Sequence, residues 1–140
     1  MGARTSGRES ALQMLFALEA GGGSAEAVIR NYWNAMLGDP EGRAYADAIV
    51  RGVATDLERV DEAIRRASTN WRIERMARVD RNVLRIGAWE LTGSPEVPRA
   101  VILDEAVELA KRFGSEDSSA FVNGVLDRIA SDLGRIDTDR

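Results

Sequence analysis

VPRAVILDEAVELAKRFGSEDSSAFVNGVLDRIASDL, residues 97–133, reads as two amphipathic helices joined by a short polar connector. Pro98 sits where a helix starts, a place where the missing N–H is harmless. Gly114 stops that helix, and Asp117 or Ser118 caps the next. Asn123-Gly124 is the strongest short hairpin signal in the chain. Its flanks, Phe121, Val122, Val125, Leu126, Ile129 and Leu133, keep helical spacing instead of alternating, so the hairpin is rejected. A glycine inside a helix is worse than alanine by up to about 1 kcal/mol. Gly124 and Gly87 are therefore expected where another helix backbone comes close.

The same period runs through the rest of the chain. Leu12, Leu15 and Phe16, widened by Ala11 and Leu18, mark a first helix that Ser6 or Ser10 would cap and Gly21-Gly22-Gly23 would end. Ser24 opens a second helix running to about Leu37, and Gly38-Asp39-Pro40 breaks it. From Ala44 to Ile64 the apolar positions fit one long helix or two pieces bent at Gly52 or at Thr55-Asp56. Ser68-Thr69-Asn70 is a polar stop, and Trp71 to Met76 fits a short helix or turn. Val79, Val83, Leu84, Gly87 and Leu91 form a further stripe, closed by Thr92-Gly93-Ser94-Pro95. The expected class is all-α, with about seven helices in one domain over residues 1–134 and a frayed polar tail over 135–140.

At 140 residues, with 44% hydrophobic and 30% charged side chains, the chain suits one soluble domain with a real core. Cysteine and histidine are absent, which removes thiolate chemistry, the usual general base and the commonest metal ligand. No apolar run reaches the roughly 20 residues that span a bilayer. MGARTSGRES lacks the apolar centre of a signal peptide, so a cytoplasmic protein with no membrane partner is expected. The net charge is −4, yet Arg65 to Arg85 holds seven arginines against Glu74 and Asp80, which makes that stretch +5 and the remainder −9. Any contact with nucleic acid must be local.

No catalytic set emerges. Asp104, Glu105 and Glu108 share a helix but have no histidine or phosphate-binding loop to work with, and they read as a solvated face. Neither cofactor nor metal is expected. Arg78, Arg81 and Arg85 share a helix face. They read as an exposed stripe with Glu74 pairing Arg78, or as a support in which Arg85, set between Leu84 and Ile86, reaches inward to Glu105 or Glu90. Phe113 and Phe121 frame the connector. They pack against each other across it, or they stand outside and stack bases, with Lys111 and Arg112 beside them as cations. Arg4 and Arg8 make a second small basic face.

The words DEAVELAK (104–111), Phe113-Gly114, Glu116-Asp117-Ser118 and FVNGVLD (121–127) resemble the C-terminal signature of the NusB family of transcription antitermination factors. RESALQMLF (8–16) and VDRNVLRIGAWEL (79–91) agree with it, so the resemblance spans about Arg4 to Leu133. It implies two three-helix bundles packed across each other. It also implies binding of boxA RNA together with a small-subunit ribosomal protein, called NusE in this role, within an RNA polymerase antitermination complex that serves ribosomal RNA operons. Carried onto this chain, the RNA contacts are Arg4, Arg8, Gln13, Lys111, Phe113, Asp117, Ser118 and Phe121. The ribosomal partner would meet Phe16, Glu74 and Asp80. Two departures stand out: Ala120 replaces a cation common before the FVNG phenylalanine, and the N-terminus carries few arginines. Each missing cation removes one phosphate contact. A protein–protein adaptor without RNA binding is the alternative, and a homodimer is left open. A third reading is the NusB-like helical domain of some RNA cytosine methyltransferases. That enzyme needs a following cofactor-binding domain, which the sequence to Arg140 does not carry.

Overall fold

Helix after helix forms where the apolar stripes predict, and the computed structural model, which describes residues 2–135, has seven α-helices, two 3-10 turns and no strand among them. The chain divides into two compact units at Asp56/Leu57.

The first unit holds α1 (Ala3–Glu19), α2 (Ala25–Asn34) and α3 (Arg43–Thr55), each packed on the other two. The helix α1 starts earlier than expected, with Gly2 at its N-cap, so Ser6 and Ser10 lie buried inside it and cap nothing. Ser10 instead accepts a hydrogen bond from the Tyr32 hydroxyl at 3.0 Å. Gly21, at φ +90°, turns the chain after α1. Ser24 caps α2 by accepting from the Ala27 N–H at 3.1 Å. A β-carbon on Gly42 would lie 2.4 Å from the Gly7 nitrogen, so α1 and the turn before α3 meet backbone to backbone at two glycines. Trp33 donates to Asp47 at 2.7 Å inside this unit. On its surface Arg51 grips Glu26 with two bonds of 2.8 and 3.0 Å, and that hydrogen-bonded guanidinium holds the Glu26 carboxyl below its usual range.

The second unit holds α4 (Leu57–Ala67), α5 (Arg78–Gly93), α6 (Arg99–Phe113) and α7 (Ser118–Asp132). Here α5, α6 and α7 pack on one another as a three-helix bundle, and α4 lies against α5 and α7. Of the two ways to read residues 44–64, the broken one is correct, with Asp56 between α3 and α4. None of the helices is long and apolar enough to cross a membrane, among the described residues.

Two contacts hold this second unit. Leu126, fully buried, presses on Gly87, where an added β-carbon would lie 2.6 Å from Cδ1 and 3.3 Å from Cγ of that leucine. The close approach at Gly87 is thus to a side chain rather than to a backbone. At Gly124 nothing lies within 4 Å, so the expected close approach there does not exist. The second contact is the Arg85–Asp61 pair, with bonds of 2.9 and 3.1 Å between side chains only 14% and 11% exposed. Arg85 is inward and carboxylate-bound, as the sequence suggests. The carboxylate that grips it with both oxygens is Asp61 of α4, a partner the sequence reading did not name.

Arg135, expected in the frayed tail, is engaged: its guanidinium donates to the carbonyls of Leu91 (3.0 Å), Ser94 (3.2 Å) and Val97, among others. It gathers carbonyls at the end of α5 and in the turn after it, where a cation also suits the helix dipole. The remaining tail, Ile136 to Arg140, lies outside the described residues.

Arg85→Ala leaves the largely buried Asp61 carboxylate without the guanidinium that meets both its oxygens, so it should lower stability by about 3–5 kcal/mol in urea unfolding, whereas Asp61→Ala should cost less, because Arg85 also donates to Asn82. Arg66→Ala, which loses only an exposed pair with Glu62, should change it by less than about 1 kcal/mol. The two glycines should give opposite signs. Gly124→Ala should stabilise by up to about 1 kcal/mol. Gly87→Ala, which overpacks against Leu126, should destabilise by about 1–3 kcal/mol.

Candidate nucleic-acid interface

The connector between α6 and α7 is built by small residues. A β-carbon on Gly114 would lie 2.5 Å from the Ser118 hydroxyl oxygen and 2.8 Å from the Ala110 carbonyl, so only glycine fits there. Ser118 is 1% exposed, and its Oγ accepts from the Ser115 N–H at 2.9 Å. This closes the connector on itself. Ser118, expected as an RNA contact, is buried, and its hydroxyl is an internal brace. Asp117 takes the N-cap position of α7 without a side-chain cap bond and stays exposed.

Neither phenylalanine of the connector is core, and the two do not pair with each other. Phe113 is 37% exposed at the end of α6, with the Arg112 guanidinium 5.2 Å from its ring centroid. Phe121 is half-buried on α7 and meets Trp71 edge-on, at 5.9 Å between centroids and 79° between planes. Lys111 is exposed and has no partner among the described residues.

Trp71 brings its own segment into the site. Ser68, buried at the end of α4, donates to the Ile64 carbonyl at 2.6 Å, and its carbonyl accepts from the Trp71 N–H at 2.8 Å. Ile73 is plugged into the core. Arg81 then ties the following turn by donating to the Met76 carbonyl at 2.8 Å and the Ile73 carbonyl at 3.3 Å. The inward role foreseen for Arg85 holds, with Asp61 meeting two of its nitrogens, and Arg81 has a supporting role that the sequence reading did not foresee. Glu74 is exposed and pairs with Arg72 at 3.7 Å rather than with Arg78. The result is a groove of about 750 Å³ lined by Trp71, Arg75, Met76, Asp80, Asp117 and Phe121, among others. It joins Phe121 and Asp117, foreseen as RNA contacts, to Asp80, foreseen as a partner contact. Lys111 and Phe113 lie at the end of α6 and do not line it.

The N-terminal candidates lie in the first unit. Arg4 and Gln13 are exposed and Phe16 is half-buried on α1. Arg8 is 2% exposed, with its guanidinium 5.4 Å from the Tyr45 ring centroid. The basic face expected from Arg4 and Arg8 is thus presented by Arg4, and Arg8 is a packing residue. Among the described residues, no group of acidic side chains is arranged to hold a metal ion.

Trp71, Arg75 and the brace at Ser68 were missed by sequence reasoning. The available signal was a tryptophan placed directly after a polar stop, among arginines and outside any apolar stripe.

Comparison with known proteins agrees with this architecture. The model of the NusB family matches residues 5–131. The transcription antitermination protein NusB of Sorangium cellulosum (strain So ce56) is 76% identical over the full length of both chains. A T. maritima NusB structure superposes with a TM-score of 0.82 at 35% identity, covering 91% of this chain and 90% of that one. A crystal structure of antitermination factors NusB and NusE in complex with dsRNA superposes with a TM-score of 0.80 at 25% identity, covering 93% and 97%.

Proposed function

The chain belongs to the NusB family, and we propose that it is an RNA-binding transcription antitermination factor. On this reading it binds boxA RNA together with the ribosomal protein NusE, inside the cytoplasmic antitermination complex of RNA polymerase. It thereby promotes processive transcription of ribosomal RNA operons, with residues 1–134 acting as one RNA-binding domain and no catalytic step of its own.

The observation that carries this reading is the end of α6 and the start of α7. Lys111, Phe113 and Asp117 stand exposed there, beside a half-buried Phe121. A single strand needs a cation for its phosphates and an aromatic face for its bases, and this connector offers both. Arg4 and Gln13 supply a further cation and amide on α1. Phe16, Glu74 and Asp80 remain for the ribosomal partner. Arg8 and Ser118 act by holding α1 and the connector in shape. The solved NusB–NusE–dsRNA complex, at a TM-score of 0.80, supports an assembly of this composition.

The pure adaptor reading draws on a specific observation too. With Arg8 buried and Ala120 exposed on α7, the cations left to meet phosphates are few. The ribosomal protein should therefore raise RNA affinity substantially, and by linkage RNA must tighten the protein pair by the same factor.

Calorimetry with a boxA-like single strand tests this. Lys111→Ala and Arg4→Ala should each flatten the log–log salt dependence by about 0.7. Phe121→Ala should keep its fold by circular dichroism, lose about 1–3 kcal/mol of RNA binding and keep the salt slope. Equal RNA affinity with and without the partner would refute the linkage. No RNA binding by the parent, with or without the partner, would favour the pure adaptor, and unchanged binding in all three variants would place the RNA contacts elsewhere.

A further inference from the structure

We propose that Tyr45 of α3 is a positioning residue of the N-terminal RNA contact: its ring holds the Arg4 guanidinium where Arg4 meets a phosphate of the bound strand. This deepens the RNA-binding reading and rests on it.

The geometry starts at a close crossing. A β-carbon on Gly7 would lie 2.9 Å from the Gly42 carbonyl oxygen, 3.0 Å from the Tyr45 Cβ and 3.1 Å from the Ala46 nitrogen. The start of α3 therefore lies directly against α1 at the turn between Arg4 and Arg8. These two arginines are four apart and neighbours on the helix surface. Both reach the same ring: the Arg4 guanidinium is 5.7 Å and the Arg8 guanidinium 5.4 Å from the Tyr45 ring centroid. A cation within about 6 Å of a ring centroid is held by the ring quadrupole.

The two arginines differ in what surrounds them. Arg8 is 2% exposed and belongs to the packing of the crossing. Arg4 is exposed, and the Tyr45 ring is its one side-chain partner among the described residues. The first turn of α1 holds no acidic residue, and Gly2 at the N-cap brings no side chain. Arg4 thus keeps its full charge at a helix end that is itself positive, a setting that suits an anion.

Entropy gives the ring its role. A free surface arginine samples many rotamers and loses that freedom when it grips a ligand. Tyr45 removes part of the freedom beforehand. A guanidinium resting on a ring still has N–H groups to donate, and a phosphate accepts two of them side by side. The ring therefore raises affinity without touching the strand.

The test is a double-mutant cycle on the full chain with its ribosomal partner. Each variant is checked for folding by circular dichroism and titrated with a fluorescein-labelled boxA-like single strand at several salt concentrations. Tyr45→Leu should weaken binding about two- to fivefold, and Tyr45→Phe, which keeps the ring, should bind as the parent does. Arg4→Ala should weaken binding and flatten the log–log salt slope by about 0.7. In the Arg4→Ala background Tyr45→Leu should cost nothing more, because the ring acts through Arg4. A folded Tyr45→Leu that binds as the parent does overturns the proposal. So does an equal loss in both backgrounds, the mark of a purely structural tyrosine. A loss on Tyr45→Phe as large as on Tyr45→Leu makes the hydroxyl the contact and overturns it too. Should Tyr45→Leu not fold, NMR of the tyrosine-labelled parent decides. The strand should shift the Tyr45 ring signal, and Arg4→Ala should remove that shift; no shift, or one that survives Arg4→Ala, overturns the proposal. If Lys111→Ala weakens binding while Arg4→Ala and the Tyr45 variants bind as the parent does, the positioning role is refuted and the RNA-binding reading stands. If the parent complex binds no strand, both fall.

Discussion

The fit of Leu126 against Gly87 governs the second unit. It seats the Leu126 methyls of α7 where a β-carbon on residue 87 of α5 would lie, so a larger residue there forces this buried leucine to move. Once that seat is taken, the direction of α7 is set, and so is the side on which its first turns emerge. Phe121 lies five residues before Leu126 on the same helix. The phenylalanine stands at the rim of the core, half-buried against Trp71. The Asp61–Arg85 pair then fixes α4 to α5 and with it the turn that carries Trp71. The pair is a poor source of net stability, because stripping water from two charges offsets most of their attraction. Its effect is positional: a bidentate guanidinium–carboxylate contact tolerates little change in the distance or angle between its helices.

Much of this was readable from the chain. Ser24 as a cap and Gly114 as a stop follow from local chemistry that acts over a few residues, while the break at Thr55-Asp56 and the inward turn of Arg85 are each one of the alternatives the sequence leaves open. What escaped shares one physical cause. Periodicity says which face of a helix is apolar; it does not say which neighbour covers that face or how closely. So the choice of Asp61, 24 residues upstream of Arg85, was out of reach. The roles of Gly124 and of the Gly7–Gly42 crossing escaped for the same reason. Arg8 misleads in the same way, because an arginine on α1 looks solvent-bound until the helix beside it is known. Arg135 looked like part of a loose polar end, and its use as a cap for α5 depends on where the end of α7 delivers it.

The candidate site shows the same division. Lys111, Phe113, Asp117 and Phe121 announce themselves as aromatics and charges crowded about a glycine-bearing connector. Trp71 does not, since a tryptophan reads as core by default. Its exposure becomes visible only when Ser68, Ile73 and Arg81 are seen to hold its segment on the rim. The candidate surface of this unit is thus assembled from two stretches more than 30 residues apart in sequence, and buried polar contacts at Ser68, Arg81 and Ser118 hold it.

The central claim is that the α6–α7 connector takes single-stranded RNA. Hydrogen–deuterium exchange of the partner-loaded chain, with and without a boxA-like strand, tests it most directly. Strong RNA-dependent protection of residues 111–121, with the buried centres of α5 and α7 unchanged, is the predicted result. Protection confined to other segments, or none at any strand concentration, would contradict it.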